Sequence, residues 1–186
     1  MATPDIQIWS PISLNSNGGM VRSLGGELTA SYTLLQGLTL GYVAAYTQAE
    51  FTQLPADSDI LMGYQLSAVP KWSMSFSADY DWVLRNAWHA HAGANLRYVG
   101  REWDLFVRSR SLDGYATTEF PSYSVLDLSG GVAMDRLTIK VFARNLFDTR
   151  GILGANPDDA YAGGPGQLET FIIQPRTIGV GFDYSF

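Results

Sequence analysis

The last ten residues, TIGVGFDYSF, alternate without a break: Ile178, Val180, Phe182, Tyr184 and Phe186 fall on one side, Thr177, Gly179, Gly181, Asp183 and Ser185 on the other. A two-residue period is the signature of a strand with two unlike faces, because successive side chains of an extended chain point opposite ways. The same period recurs along most of the chain. KWSMSFSADYDW sets Trp72, Met74, Phe76, Ala78, Tyr80 and Trp82 against Lys71, Ser73, Ser75, Ser77, Asp79 and Asp81. HAHAGANLRYVG, GELTASY, LTLGYVAAY, SVLDLSGGVAM and LTIKVFARN repeat it.

The pattern predicts eight strands, near residues 4–12, 19–34, 37–51, 70–84, 88–104, 122–134, 137–149 and 175–186. Their connections alternate in length. Tight turns at 35–37, 85–87 and 135–136 are interleaved with longer links at 13–18, 52–69, 105–121 and 150–174. One end of the sheet is thus trimmed and the other elaborated, as in outer-membrane barrels with short periplasmic turns and long extracellular loops. The Gly- and Pro-rich stretch 151–166 reads as a loop rather than a linker, and the whole of 1–186 as one domain.

Which face meets which medium follows from bulk. In a soluble eight-stranded barrel, Trp72, Met74, Phe76, Tyr80 and Trp82 of one strand would point inward and overfill the lumen. The opposite face is rich in Gly, Ser, Ala and Thr with scattered charges, which suits a wet or plugged interior. Composition agrees: 24 aromatics, 19 glycines and only 16% charged residues suit strands that face something other than water. No run reaches the ~18–20 apolar residues of a membrane helix. Residues 1–20 lack the basic start and apolar core of a secretory signal, so an exported form would be a mature chain or a piece of something longer.

Geometry supplies a second test. Trp72 and Trp82 lie ten residues apart on one face, which is about 33 Å along a strand. A tilt of about 40° brings this to about 25 Å along the barrel axis, the height of the apolar band between two aromatic girdles. Tyr32, Tyr80, Trp82, Trp88 and Tyr184 fall near the short-turn end, and Tyr46, Trp72 and Tyr98 toward the long-loop end. The expected fold is all-β: an antiparallel transmembrane β-barrel or barrel segment, with a β-sandwich or lipocalin-like soluble barrel as the competing architecture.

Several function classes drop out. A formal charge of −6 opposes binding to nucleic-acid phosphates, and the absence of cysteine removes thiolate catalysis and thiolate metal sites. His89 and His91 share a face, as do Asp79 and Asp81, but neither pair has a third ligand or an orienting partner in the sequence, so lumen polarity is the expected role. No Ser/His/Asp set, phosphate loop or dinucleotide fingerprint occurs. Neither catalysis nor a cofactor is expected. For small-ligand contact the sequence offers Arg108, Arg110, Tyr115 and Phe120 in the link 105–121, and Asp158 and Asp159 in the link 150–174.

VFARNLFDTRG, followed about 25 residues later by PRTIGVGFDYSF at the chain end, resembles the C-terminus of TonB-dependent outer-membrane receptors. AVPKWSMSFSADYDW and LRYVGREW resemble that family in the same order, so the likeness extends over nearly the whole chain. The resemblance implies a bacterial outer-membrane location and uptake of scarce ligands, most often ferric siderophores, with energy delivered by TonB. A complete member carries an N-terminal plug and a barrel of about 22 strands; the eight strands here would be its last part. Neither a plug nor a TonB-contacting segment is visible, so the chain is expected not to transport alone. Partners implied are membrane lipid, the ligand, TonB through the missing N-terminal part, and the barrel assembly machinery, which would read Tyr184 and Phe186 as a terminal signal. A stand-alone eight-stranded barrel with a structural or binding role is the alternative.

Overall fold

The computed structural model describes residues 19–53, 65–84, 88–104, 118–158 and 167–186. Eleven strands run through them: β1 (Met20–Leu35), β2 (Leu38–Gln53), β3 (Trp72–Val83), β4 (His89–Val99), β5 (Glu102–Asp104), β6 (Thr118–Phe120), β7 (Tyr123–Met134), β8 (Leu137–Arg144), β9 (Ile152–Asp158), β10 (Gln167–Ile172) and β11 (Thr177–Tyr184). Seven form one antiparallel sheet in the order β1-β2-β3-β4-β7-β8-β11, and β5–β6 and β9–β10 are separate hairpins within two of the long links.

Tight turns fix the lower end. Gly37 adopts φ +88°, and its carbonyl accepts the Asp81 N–H at 2.8 Å. A side chain there would collide with the Asp81 carbonyl, so the turn residue must be glycine on both counts. Asp135 and Arg136 join β7 to β8, and the Arg136 carbonyl takes the Ser185 N–H at 2.9 Å, tying the chain end to that turn.

Register carries the sequence pattern into two faces. On the inner face Gly41 stands opposite Ser77, Ser77 opposite Asn95, Asn95 opposite Asp127, and Lys140 opposite Gly181. On the outer face Tyr42 faces Phe76, Phe76 faces Leu96, Leu96 faces Leu126, and Val141 faces Val180. Outer-face apolar side chains remain uncovered, with Ile178 71% and Phe182 66% exposed. Among the described residues the buried apolar set is only Ala44, Ala49, Phe51, Ala90, Phe120 and Val125. A soluble sandwich or lipocalin-like barrel gains its stability from a packed core. This sheet instead presents its grease outward, the arrangement of a wall in lipid.

Three expected strands are shorter than the pattern puts them, each for a local reason. The span 88–104 breaks at Gly100, whose N–H turns to the Trp72 carbonyl at 2.8 Å. The span 137–149 stops at Arg144 because Asn145 takes a left-handed φ of +50°. The last begins at Thr177, after Pro175, which has no N–H to give to a ladder. The expected strand 4–12 lies outside the described residues. The sheet ends at β1 and β11 and is not closed. With seven antiparallel neighbours, β1 and β11 both run from the long-loop end toward the short turns. They therefore cannot meet as neighbours of an antiparallel meander.

Candidate functional site

The inner face holds a hollow of about 390 Å³ lined by Ser77, Asp79, His91, Asn95, Asp127, Ser129, Lys140, Phe142 and Arg144. Several of its side chains have partners at its margin. Asn95 donates to Ser75 Oγ at 3.2 Å, and Lys140 Nζ lies 2.7 Å from Asp183 Oδ2. The Phe142 ring covers Gly179, and the Arg144 guanidinium sits 5.1 Å from that ring's centroid. His91 stands opposite Asp81, while Asp79 faces Gly93 and His89 faces Val83. Among the described residues no three His, Asp or Glu side chains are grouped to hold a metal ion. The wall is thus polar, charge-balanced and wettable, a surface along which a solute or a protein plug can lie.

Aromatic pairs mark both ends of the outer face. Tyr46 and Trp72 are register partners at the long-loop end, with centroids 4.8 Å apart at 51°. Tyr80 and Trp82 stack at 5.0 Å near the short turns, and Tyr184 meets Phe186 edge-on at 5.4 Å. Tyr32 pairs with Leu40, Tyr98 with Met74, and the Trp88 carbonyl accepts the Leu84 N–H at 2.7 Å. Beyond Tyr46 the same face turns polar: Tyr46 OH donates to Gln48, Gln48 donates to Glu50 at 3.2 Å, and Arg22 donates to Glu50 at 2.7 Å. The apolar band therefore thins past the Tyr46–Trp72 pair, where Leu24 stands opposite Gln48 and Arg22 opposite Glu50.

Of the ligand candidates, Arg108, Arg110, Tyr115 and Asp159 lie outside the described residues. The backbone of Asp158 pairs with Gln167 at the end of β9. Phe120 is only 3% exposed, on β6 opposite Glu102, so its ring is spent on protein contacts at the foot of the β5–β6 hairpin. That hairpin docks on the neighbouring link, where Ala68 N–H and Ser67 Oγ both donate to the Trp103 carbonyl, at 3.0 and 3.1 Å.

A polar junction at the top of β8 was not foreseen from sequence beyond its motif. Asn145 is 3% exposed. Its N–H donates to Asp127 Oδ1 at 2.8 Å, and its side-chain amide donates to the carbonyls of Thr149 and Gln174, both at 2.9 Å. Its Oδ1 accepts the Thr149 N–H at 2.9 Å. Asp148, also left-handed at φ +54°, accepts the Arg176 N–H and the Arg150 guanidinium, each at 2.9 Å. Those two donors hold the Asp148 carboxyl below the usual carboxylate range, the Arg176 N–H contributing most. Asn and Asp are the non-glycine residues that most readily take positive φ and bond nearby backbone. That tendency, at Asn145 and Asp148 just past an alternating run, was the available signal.

With this geometry in view, comparison with known proteins is informative. A family model described as TonB dependent receptor-like, beta-barrel matches residues 2–146. The metal-pseudopaline receptor CntO of two Pseudomonas aeruginosa strains is 35% identical over 135 residues, covering 71% of this chain and 17% of its own length. The chain therefore spans less than a fifth of these curated relatives. The crystal structure of the ferric yersiniabactin uptake receptor FyuA from Yersinia pestis superposes with a TM-score of 0.71 at 22% identity, covering 91% of this chain and 24% of that one. The siderophore receptor PiuA from Acinetobacter baumannii gives 0.66 at 16% identity, covering 88% and 22%. At such identities the structural likenesses establish the fold, an arc of a wide barrel. The family is one of receptors and transporters rather than enzymes, and the match over most of the sequence means that this chain belongs to the TonB-dependent receptor-like β-barrel family.

Proposed function

We propose that the chain forms the C-terminal part of the wall of an outer-membrane receptor that takes up metals bound to small chelators, ferric siderophores among them. The observation that carries this reading is the 35% identity to a metal-pseudopaline receptor. The exposed apolar face between two aromatic ends supports multi-pass insertion in the outer membrane, with Tyr32, Tyr46, Trp72, Tyr80, Trp82, Trp88 and Tyr98 at the lipid boundary. Ligand contact is assigned to the long links, through Arg108, Arg110, Tyr115, Asp158 and Asp159, with Phe120 packing the base of its loop. Tyr184 and Phe186 are assigned to recognition by the barrel assembly machinery. Energy delivery by TonB is assigned to a plug of the kind that complete members of the family carry, and residues 1–186 supply wall.

A chimera tests this. The corresponding C-terminal segment of the pseudopaline receptor is replaced by this chain, and metal uptake is followed in cells with and without TonB. TonB-dependent uptake of the metal–chelator complex is expected. A chimera that inserts in the outer membrane but takes up no metal chelate would overturn the ligand assignment, and one that fails to insert would overturn the wall itself.

A further inference from the structure

The junction around Asn145 does more than end a strand. After β8 the chain runs on beside β7: Leu146 N–H reaches the Leu126 carbonyl at 2.8 Å, and Thr149 Oγ1 reaches the Ser124 carbonyl at 2.9 Å. It then enters the β9–β10 hairpin, whose foot is closed by Ile173 N–H on the Gly151 carbonyl at 2.9 Å. Three contacts pin that foot to the wall. Asn145 holds the returning strand at Gln174, Asp148 holds it at Arg176, and the Tyr123 ring at the start of β7 lies against buried Gly151. A Cβ at Gly151 would come within 2.7 Å of that ring, so this contact admits no side chain.

A loop of this length tethered only by its ends would sample many orientations, because closure entropy rises slowly with length. Here the first and last residues of the link are hydrogen-bonded to each other, and the first are also bonded to β7. Two non-glycine residues at positive φ within four positions are a cost that the surrounding bonds must offset. We propose that Asn145 and Asp148 are positioning residues that hold the β9–β10 hairpin as a stiff arm at a fixed angle on the long-loop end of the wall. The residues that orient the arm are then distinct from any that touch a ligand. The arm carries exposed Leu153 and Phe171, which the brace presents in one orientation rather than many. The proposal rests on the receptor reading for its purpose, but its geometry stands on the chain alone.

The test is a spin-label distance measurement between Leu153→Cys on the arm and Arg136→Cys at the opposite end of the wall. The chain has no native cysteine, so the labels go only where they are placed. The protein is held in detergent micelles, and the far-UV circular dichroism of its strands is recorded for every variant. The native pair is expected to give one narrow distribution. Asn145→Asp replaces the donor that faces two carbonyls with an acceptor and is expected to broaden the distribution at least twofold with the strand signal unchanged. Gly151→Ala, which crowds Tyr123 without removing a hydrogen bond, should displace the distribution, and Tyr123→Phe should leave it as in the native chain. A broad native distribution, or one that Asn145→Asp leaves narrow, overturns the proposal. So does simultaneous loss of the strand signal, which would make Asn145 a residue of the wall rather than of the arm. No ligand enters the measurement, so its failure is separate from failure of the chelate-uptake reading.

Discussion

The outer face of β8 and β11 and the junction above it differ by only a few residues in sequence, yet they are held in opposite ways. Val141, Val180 and Phe182 touch little protein and stay largely uncovered, the exposure that a lipid-facing wall requires. Asn145, three positions beyond Phe142, is buried and meets a partner at every side-chain polar atom. The wall asks of each outward residue only that it be apolar, because lipid adapts to shape. The junction asks for particular donors and acceptors at particular places, because a lost partner there leaves a polar group without compensation.

Breaking each region by its own rule should show this. Val180→Arg places a charge on the lipid face, and urea unfolding in lipid vesicles should show a loss of about 2–4 kcal/mol if the site lies near the bilayer midplane. Val180→Leu should be near neutral. Equal effects from the two would mean that this face does not meet hydrocarbon. At the junction the ordering of substitutions inverts. Asn145→Ala keeps a small, uncharged side chain yet orphans groups at Thr149 and Gln174, for an expected loss of about 1–3 kcal/mol. Should Asn145→Ala prove as silent as Val180→Leu, water would be replacing those bonds and the contrast between the regions would collapse.

The same difference explains what could be read in the sequence. Alternation is a property of every second residue, so the strands around Trp72–Val83 and Tyr123–Met134 are written redundantly and stand close to where the pattern puts them. The outward direction of the bulky set follows from volume alone. The early ends at Gly100 and Arg144, and the hairpins β5–β6 and β9–β10, depend on single bonds between residues distant in sequence, such as Gly100 to Trp72 and Asn145 to Gln174. Periodicity carries no information about such pairs. The Asn-Leu-Phe-Asp stretch was visible as a family motif, but its work lies in backbone groups that a one-letter string does not show. The long links are less legible for the same reason: Arg108, Arg110 and Tyr115 follow no period that would orient them.

Two smaller effects sharpen the comparison at its polar end. The depressed pKa of Asp148 means that its ionised form is favoured by folding, so its contribution is fully present above the ordinary carboxylate range and fades as pH falls through the lowered value. Amide hydrogen exchange in the β9–β10 arm, corrected for its intrinsic pH dependence, should therefore speed up on acidification below about pH 4. Asp148→Asn should expose the arm at neutral pH and flatten that dependence, and an unchanged acid response in the variant would place the titrating group elsewhere.

The smallest effect belongs to Lys140 and Asp183, whose 2.7 Å pair sits on the inner face with both side chains more than half exposed. Water competes for each partner, so Lys140→Ala is expected to cost no more than about 1 kcal/mol and to cost less as salt is raised. The pair resembles the junction in chemistry and the wall in solvent access, and its size decides which of the two governs. A loss that rivals Asn145→Ala and persists in high salt would mean that the inner wall is closed to water. It would then be a packed surface, and the division drawn between a permissive wall and an exacting junction would have to be drawn between the two faces of the sheet instead.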